Sequence, residues 1–329
     1  MSETDPTTGV PTTLRGSVAL LLFLAGGAAT AGSVLGLLGD RPWFLDLFSH
    51  FRLQYTVGLL VAVVGVLVLR KWKSAGVFGA ALALNLVLIS PLWIAPTQPT
   101  GDGPALRVLA YNVLTSNPQK SAVIDWVNAQ GADVLILQEV NREWVDRLDE
   151  GLADYERLPT GSIREDNFGM AVYLRGGIEP DDTHFVHDAA EVPRIEVSFR
   201  LGGYPVRVVG VHTLPPVGAE YSRRRGAQLA EVADRVNQAA EPVVVAGDLN
   251  ATPWSAPLRR LLRDTGLRDS ARGFGHQGTW PTGLAWSGLI PIDHALVSPE
   301  WRVEDRRLGP IDLGSDHRAV VVDLRLSAS

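Results

Sequence analysis

The sequence predicts an α/β domain of two packed sheets with outer helices, preceded by three apolar helices. Two observations predict this arrangement. Downstream of residue 105, apolar β-rich runs alternate with helical patterns, and both long crossovers and hairpin-like spacings separate them. Upstream of residue 96, three long uncharged stretches follow one another. The 329 residues therefore suit one large domain with a membrane-type region in front of it.

Each uncharged stretch is long enough to be interpreted as a transmembrane helix. A bilayer core takes about 20 apolar residues per helix, with ~17 as the lower limit. A buried core helix is the alternative for each stretch. A cleavable signal peptide is a further alternative for the first, but its length and the two stretches behind it argue against that interpretation. The stretches are Val18–Leu38 with 21 residues, Leu53–Leu69 with 17, and Ala75–Ala95 with 21.

The basic residues between the apolar stretches predict the orientation of the chain. Arg70-Lys71-Trp72-Lys73, between the second and third stretches, is the densest basic cluster. Because Lys and Arg in short loops favour the cytoplasmic side, we expect a cytoplasmic tail at residues 1–16, three helices within 17–95, and a downstream domain outside the cytoplasm. Arg41 and Arg52 in the opposite loop reduce this asymmetry. The expected location is the cell membrane, crossed several times.

Residues 96–105 predict a linker. Three prolines and two glycines in Pro96–Pro104 suit neither a helix nor a sheet. A tether of about ten residues reaches at most ~35 Å when extended. We therefore expect the domain at 106–329 to be held close to the bilayer.

Charge and cysteine content exclude some kinds of site. The first hundred residues hold six of the 30 Lys and Arg and four of the 36 Asp and Glu, which leaves 101–329 with 24 basic and 32 acidic residues and a formal charge of −8. Such a domain lacks the general positive field that gathers nucleic acid, although a local basic patch or a bound cation can reverse this at the site. With no cysteine, disulfides and thiolate metal sites are excluded.

The elements of the downstream domain follow from the period of its apolar residues. The predicted strands are 106–111, 133–137, 169–174, 194–199, 206–211, 242–246, 293–297 and 319–326. The predicted helices are 119–130, 142–152, 222–239 and 257–265.

Four short polar clusters come at or beside the ends of apolar runs. A packed sheet can hold carboxylates, amides and imidazoles rigidly at strand ends, around a metal ion and a phosphate. The pattern therefore predicts a hydrolase site. The clusters are Tyr111-Asn112, Gln138-Glu139, Gly247-Asp248-Leu249-Asn250 and Ser315-Asp316-His317.

Six segments, taken together, resemble the endonuclease/exonuclease/phosphatase superfamily of metal-dependent phosphoesterases. They occur in the order expected for that superfamily and cover about residues 106–326. The resemblance implies a four-layer α/β/β/α sandwich of two mixed sheets. The segments are Leu109–Val113, Leu135–Val140, Gly210–Thr213, Val245–Pro253, Ile292–His294 and Gly314–Val320.

Glu139 directly follows an apolar strand, as suits a carboxylate ligand of a hard divalent cation. Mg²⁺ takes few protein oxygens and completes its shell with water and substrate phosphate. The resemblance makes Glu139 the principal metal ligand, places Asn112 beside it, and puts Asp316 near the metal or the water. A surface acid is the alternative for Glu139, and a turn or cap is the alternative for Asn112.

Asp248 and Asn250 lie two positions apart after an apolar strand, so in extended geometry their side chains face the same way. One can orient or deprotonate water while the other holds a phosphate oxygen or the metal, and the resemblance assigns them such catalytic roles. An Asx turn before Pro253 is the alternative.

A carboxylate bonded to an imidazole fixes its tautomer and supports its positive form, which suits a group that stabilises a phosphoryl transition state. The resemblance implies that Asp293 orients His317. It makes His212 a phosphate contact or a secondary acid, with a structural histidine as the alternative. His294 is expected to pack or cap, and Asn167 is a candidate substrate contact.

Two further segments have both a functional and a structural interpretation. Arg223-Arg224-Arg225 opens an amphipathic helix, and such a run is more often a solvated face than a phosphate site. The segment Thr279–Pro291, with Trp280 and Trp286, either covers the core or contacts lipid, because tryptophan favours the membrane interface.

These expectations combine into a membrane-anchored phosphoesterase that uses Mg²⁺, with Mn²⁺ as a possible substitute. The substrate is a phosphoester, and a nuclease is favoured by the resemblance. A lipid or head-group phosphodiesterase is the alternative, motivated by the tether, the acidity and the tryptophan segment. A non-enzymatic alternative is an inert membrane scaffold that kept the fold and lost turnover. The complete set of polar site residues argues against it. No protein partner is predicted.

Overall fold

The structure, a computed structural model, describes residues 12–159, 163–188, 190–285 and 289–327. The chain forms two compact units, Met1–Pro91 and Leu92–Ser329. We call them the helical unit and the sheet unit. The boundaries at 16, 95 and 105 that were expected from the sequence are finer than this division and stay predictions.

Three segments are long and apolar enough to cross a membrane: Gly16–Leu35 and Phe44–Val68 in the helical unit, and Trp72–Leu92, whose last residue is the first of the sheet unit. The second segment has 25 residues, more than the 17 expected, because a short helix and a 3₁₀ turn continue it toward its N-terminal end. The helices are α1 Thr12–Leu35, α2 Phe44–Leu47, α3 Arg52–Val68 and α4 Trp72–Ile89, with 3₁₀ turns at Phe48–Phe51 and Ser90–Leu92.

Glycines allow the long helices of this unit to approach each other closely. A Cβ at Gly26 of α1 would lie 2.6 Å from the ring of Phe78 in α4, and one at Gly65 of α3 would lie 2.5 Å from Leu22 in α1. Small residues at helix contacts are typical of bundles in lipid, where close backbone packing replaces the hydrophobic driving force. The helical unit is therefore packed in the manner of a membrane bundle.

Within the described residues, the sheet unit has twelve strands in two six-stranded sheets. They are β1 Ala105–Asn112, β2 Val134–Gln138, β3 Tyr155–Arg157, β4 Met170–Arg175, β5 Pro180–His187, β6 Pro193–Leu201, β7 Tyr204–His212, β8 Val243–Asp248, β9 Arg268–Asp269, β10 Asp293–Val297, β11 Trp301–Leu308 and β12 Val320–Leu326. The orders are β11-β12-β1-β2-β4-β3 and β5-β6-β7-β8-β10-β9. Both sheets mix parallel and antiparallel pairs.

Helices cover the outer face of each sheet. They are α5 Lys120–Gln130, α6 Arg142–Gly151, α7 Ala219–Gln238 and α8 Ala256–Thr265. Apolar residues of α5 and α6 share a core with the first sheet, and those of α7 and α8 share one with the second. A third core, which includes Ile136 and Val208, fills the space between the sheets. The predicted four-layer α/β/β/α sandwich is confirmed.

Strand pairing brings the polar residues to one edge. β1 and β2 are parallel, so Asn112 and Gln138 end side by side. β7 and β8 are parallel as well, so His212 ends beside Asp248. β10 runs antiparallel to β8, which places Asp293 opposite Asp248. We call this end of the sheet unit the site edge.

The predicted strands are confirmed to within a few residues, but four short or edge strands were not expected. β11 contains charged residues between its apolar ones, and it is the edge strand of the first sheet. β5 is mostly exposed at the end of the second sheet. Edge strands carry polar residues that discourage further pairing, so the apolar pattern that identifies central strands is weak in them.

Candidate active site

Asn112 connects the two sheets at the site edge. Its amide Nδ2 donates to Glu139 Oε1 at 3.0 Å and to Asp248 Oδ2 at 3.3 Å. Glu139 follows β2 of the first sheet, and Asp248 ends β8 of the second. Because Asn112 is fully buried, the amide holds the two carboxylates at a fixed separation.

Glu139 has a left-handed backbone, with a φ of +61°. A non-glycine residue in this region costs about 1–3 kcal/mol and persists where its surroundings enforce it. Thr115 supplies part of that enforcement: its amide N donates to Glu139 Oε2 at 3.3 Å, and its hydroxyl donates to the Glu139 carbonyl at 3.1 Å. Burial raises the pKa of Glu139, although the hydrogen bonds from Asn112 and Thr115 oppose that rise.

A buried imidazole lies between two carboxylates. The Nδ1 of His317 is 2.9 Å from Asp293 Oδ2, and its Nε2 is 3.7 Å from Asp248 Oδ2. His212 approaches the same Asp248 oxygen from another side, with its Nε2 at 3.6 Å. Ser315 fixes the backbone of this group, because its hydroxyl donates to the Asn112 carbonyl and accepts from the amide of His317.

Burial and mutual charge separate the proton affinities of these four groups. Burial, reinforced by the charge of Asp293, raises the pKa of Asp248 to about 7. Burial opposes the charge of His317, but Asp293 and Asp248 raise its pKa to about 10. Burial also opposes ionisation of Asp293, yet His317 lowers its pKa. Burial and the charge of His317 lower the pKa of His212 to about 4. At neutral pH, His317 is a cation and His212 is neutral.

Two carboxylates at the site fit a hard divalent cation. One oxygen of Asp316 accepts a hydrogen bond from the indole N–H of Trp280 at 3.0 Å, while its buried Oδ1 has no hydrogen-bond partner among the described residues. Asp316 is near enough for its charge to raise the pKa of Glu139. Carboxylate oxygens with lone pairs to spare are the donors that Mg²⁺ and Mn²⁺ prefer. Asn112 turns its N–H toward Glu139, while its Oδ1 accepts from the Leu114 amide at 3.2 Å.

A second group of potential ligands lies nearby. Asp248, Asp293 and His317 each offer a ligand atom within 4.8 Å of the others. A metal ligand must be deprotonated, and in this group the carboxylates hold a proton on His317 instead. The cation at Glu139, Asn112 and Asp316 stays a prediction.

Asn250 also has a left-handed backbone, with a φ of +46°. Its amide N donates to Asp248 Oδ1 at 2.9 Å, and its side-chain Nδ2 donates to the Thr213 carbonyl at 2.8 Å. Its own carbonyl accepts a hydrogen bond from Arg225 of α7 at 2.6 Å. Among the described residues, no hydrogen bond is seen for its Oδ1 or its second side-chain N–H.

The structure brings together all eight residues that the sequence suggested for the site, and their roles stay predictions. His294 does not join them, since its nitrogens lie 2.9 Å from Asp269 Oδ2 and 2.8 Å from the Ala251 carbonyl; it packs, as expected. Asn167 is exposed, beside Phe168, whose ring lies 5.4 Å from that of His212. Trp286 lies outside the described residues. The eight are Asn112, Glu139, His212, Asp248, Asn250, Asp293, Asp316 and His317.

Two residues near the site have contacts that the sequence did not indicate. Arg225 is buried under α7 and holds Asn250, which corrects the interpretation of the whole arginine run as a solvated face; only Arg223 fits that description, exposed and paired with Glu220. The signal for Arg225 was its helical spacing from the buried Leu229. Trp280 bonds a carboxylate 36 positions away, and no local pattern shows such a contact.

The fold and this carboxylate–imidazole site define a metal-dependent phosphoesterase, and the protein is an enzyme of that class. The chain belongs to the Endonuclease/Exonuclease/phosphatase family, whose sequence pattern matches residues 109–317. The resemblance seen in the sequence is thereby confirmed. No curated protein matches the chain.

Solved structures with the same fold align over about two thirds of the chain. An endonuclease/exonuclease/phosphatase from Bacteroides vulgatus has 19% identity, a TM-score of 0.57, and coverage of 68% of this chain and 99% of its own. A humanized TDP2 from D. rerio has 17% identity and a TM-score of 0.56, and the alignment covers 67% of this chain and 99% of that one. The human Nocturnin catalytic domain with bound sulfate has 18% identity and a TM-score of 0.53, and the alignment covers 70% of this chain and 100% of that one. At these identities the similarity establishes the fold.

Proposed function

We propose that the sheet unit hydrolyses phosphodiester bonds with Mg²⁺, by attack of an activated water on phosphorus. The observation that supports this most directly is the linked set Asn112, Glu139, Asp248, His317 and Asp293, in which one amide and one imidazole join three carboxylates. It combines oxygen donors for a cation, a buried carboxylate of raised pKa, and a fixed positive charge. Phosphoryl transfer requires positioning and charge stabilisation of this kind.

Glu139 and Asp316, with Asn112, would hold the cation. Bound Mg²⁺ supplies a Lewis acid that neutralises charge on a phosphoryl oxygen and lowers the pKa of water. Asn112 keeps Glu139 at a set distance from Asp248 through its two hydrogen bonds. Hydrogen bonds from Asn112 and Thr115 hold the Glu139 carboxylate in the site.

Asp248 would accept the proton of the attacking water. A general base works best when its pKa lies near the working pH, and the pKa of Asp248 is raised to about 7. His317, kept protonated by Asp293, would donate a charged hydrogen bond to the phosphoryl oxygen. His212 is neutral and buried, so it suits a phosphate contact better than a secondary acid. Asn250 would donate its remaining amide hydrogen.

The test uses the full chain in nanodiscs with Mg²⁺ and bis(p-nitrophenyl) phosphate, a generic soluble phosphodiester. Asp248→Asn and Asp293→Asn keep the side-chain shape and should lower turnover by about 10²–10⁴-fold. Asp312→Asn, on an exposed residue of the loop before the site, should leave it unchanged. Full activity of either site variant would refute the assigned roles.

The substrate class is the finer part of the proposal. Nucleic acid is supported by the family and by a TDP2 structure from D. rerio that is complexed with a single-strand DNA product. A lipid-borne phosphoester is supported by the acidic sheet unit and by apolar residues at the site edge. Labelled DNA and RNA assayed beside phospholipid vesicles separate the two classes, and hydrolysis of the vesicle lipid alone would exclude the nuclease.

We also propose that the helical unit anchors the chain in the cell membrane by three passes, with the sheet unit on the extracytoplasmic side. Three helices of sufficient length and apolarity support the anchoring. The basic loop at Arg70–Lys73 supports the orientation.

A further inference from the structure

The segment that follows the last apolar helix is fastened to the sheet unit. That helix segment ends at Leu92, the first residue of the sheet unit. The Leu92 carbonyl accepts hydrogen bonds from the amides of Gly273 at 3.0 Å and Gly275 at 2.7 Å. A Cβ at Gly273 would lie 2.8 Å from Ala95, so only glycine permits this approach. The chain that follows the last apolar helix is therefore attached to the sheet unit and is not a free tether.

Further contacts hold the same segment along its length. The side chain of Gln98 accepts from the Val303 amide at 2.7 Å and donates to the Val303 carbonyl at 3.2 Å. The amide of Gly103 donates to the Leu326 carbonyl at 2.8 Å. The segment from Leu92 to Gly103 is therefore bonded to the body of the sheet unit at several points.

The loop that contacts Leu92 leads to the site edge. Residues 270–280 leave β9 toward the end of β10 that carries Asp293, since β9 and β10 are antiparallel. On the way, His276 Nε2 lies 3.1 Å from the Leu289 carbonyl, and the Thr279 hydroxyl accepts from the Asp293 amide at 3.3 Å. The loop that contacts Leu92 thus ends at Trp280, whose indole N–H donates to Asp316.

Apolar side chains are exposed directly after Leu92 and in loops of the site edge. Leu284 lies four residues after Trp280, Ile311 precedes Ser315–His317, and Val217 follows His212. The Thr282 amide donates to the Asp316 carbonyl at 2.9 Å, which ties the first two loops together. The exposed fractions are 52% for Trp93, 62% for Ile94, 71% for Val217, 53% for Leu284 and 45% for Ile311. We call these five residues the apolar rim.

We propose that the apolar rim rests on the lipid surface of the membrane in which the chain is anchored, so that the site meets phosphoesters at the level of the lipid head groups. This rests on the proposed hydrolase function and on the proposed membrane spans. The occupant is a bilayer because Trp93 and Ile94 directly follow a helix of spanning length. The net charge of −8 on residues 101–329 gives no electrostatic attraction to anionic lipid. Apolar contact, together with the short segment after Leu92, must therefore hold the site edge at the lipid surface.

The chain has no cysteine, which allows single labels. Ile94→Cys, Leu284→Cys and Ile311→Cys, each carrying bimane, are compared in full-length chain in phosphatidylcholine nanodiscs that contain doxyl-labelled lipid. Tyr204→Cys is the matched control, since Tyr204 is 42% exposed at the start of β7, the end opposite His212. We expect quenching at the three rim positions at least twice that at 204. Quenching at 284 and 311 no stronger than at 204, even with quenching at 94, overturns the proposal.

A second measurement separates the rim from the chemistry. Leu284→Asp with Ile311→Asp should lower turnover of a fluorescent phospholipid in phosphatidylcholine vesicles by about tenfold or more, as expected when apolar contact is replaced by charge. Turnover of bis(p-nitrophenyl) phosphate should stay within twofold. Unchanged lipid turnover, or hydrolysis of DNA and RNA alone, overturns the lipid assignment while the hydrolase stands. If the wild type hydrolyses nothing, the proposed function fails, and the quenching experiment still decides the rim.

Discussion

Glu139 occupies a position that is unfavourable both for its backbone and for its charge. Its φ is positive, and burial raises its pKa. A raised pKa means that the folded state disfavours the carboxylate once the pH exceeds the value of the unfolded chain. Without a cation, the ionised group therefore opposes folding at neutral pH. A residue that costs stability in two ways is typical of a functional site.

Glu139→Gln should reverse this cost while abolishing turnover. In EDTA at pH 7 the variant should have a higher Tm than the wild type, because the amide keeps the shape without the buried charge. Mg²⁺ should raise the Tm of the wild type by binding the folded state and leave that of the variant unchanged. Differential scanning fluorimetry of the full chain in nanodiscs measures both, with Glu156→Gln, on an exposed edge-strand residue, as the control. A Mg²⁺-dependent Tm shift that persists in Glu139→Gln contradicts the ligand assignment.

At the scale of elements, α7 holds the loop that follows β8. Arg225 is buried and donates to the carbonyl of Asn250, whose backbone is left-handed. Asn250 in turn donates to Asp248 through its amide. The helix thus supports a carboxylate of the site through two hydrogen bonds. Arg225 acts as a positioning residue, since no observation places it against the substrate.

Arg225→Met should keep most of the packing and lose the bond to Asn250. Loss of one buried hydrogen bond from a charged donor costs about 1.5–3 kcal/mol, which corresponds to a fall in Tm of about 3–10 °C. Turnover of a soluble phosphodiester should fall as well, because Asn250 and Asp248 lose their support. Arg223→Met, on an exposed residue paired with Glu220, should change neither. Equal effects of the two substitutions would contradict the positioning role.

The short strand β9 is joined to β10 by a buried hydrogen bond between Asp269 and His294, and the Asp269 carboxylate makes stability depend on pH. Burial opposes the charge of Asp269, but His294 and Arg306 lower its pKa to about 2. A lowered pKa stabilises the folded state above the unfolded value of ~3.9, and this contribution, about 2 kcal/mol, is lost as the pH falls toward 2. The Tm of Asp269→Asn should therefore fall less steeply than that of the wild type between pH 4 and 2. Asp312→Asn, on an exposed loop residue, should keep the wild-type slope. Identical slopes in all three chains would contradict the lowered pKa of Asp269.

At the scale of the whole molecule, the sequence predicts the central strands and the site far better than the edges. Asn112, Glu139 and Asp248 could be recognised because each follows an apolar run that a buried strand requires. β11 could not be recognised, because charged residues alternate with its buried residues, as is common in an edge strand. The bond between Trp280 and Asp316 joins distant positions, so it depends on tertiary packing. The conformation of Glu139 depends on Thr115 for the same reason.

The structure also alters the charge argument for orientation. Arg52 had counted as a basic residue of the loop opposite Arg70–Lys73. It lies instead at the start of α3, 1% exposed, and its guanidinium donates to the Ser33 carbonyl at 2.7 Å. A side chain enclosed by its own bundle contributes little to the bias of a loop. Arg41 alone then opposes the three basic residues of the other loop, which strengthens the expectation of a cytoplasmic Arg70–Lys73.

This orientation is testable because the chain has no cysteine. In intact cells, a membrane-impermeant maleimide should label Tyr204→Cys in the sheet unit and should leave Lys73→Cys unlabelled until the cells are lysed. Both positions are exposed, so access to the reagent differs only through the membrane. Labelling of Lys73→Cys alone in intact cells would place the sheet unit in the cytoplasm. In that case the substrate would be a cytoplasmic phosphoester, and the three basic residues would lie on the side that the bias of short loops disfavours.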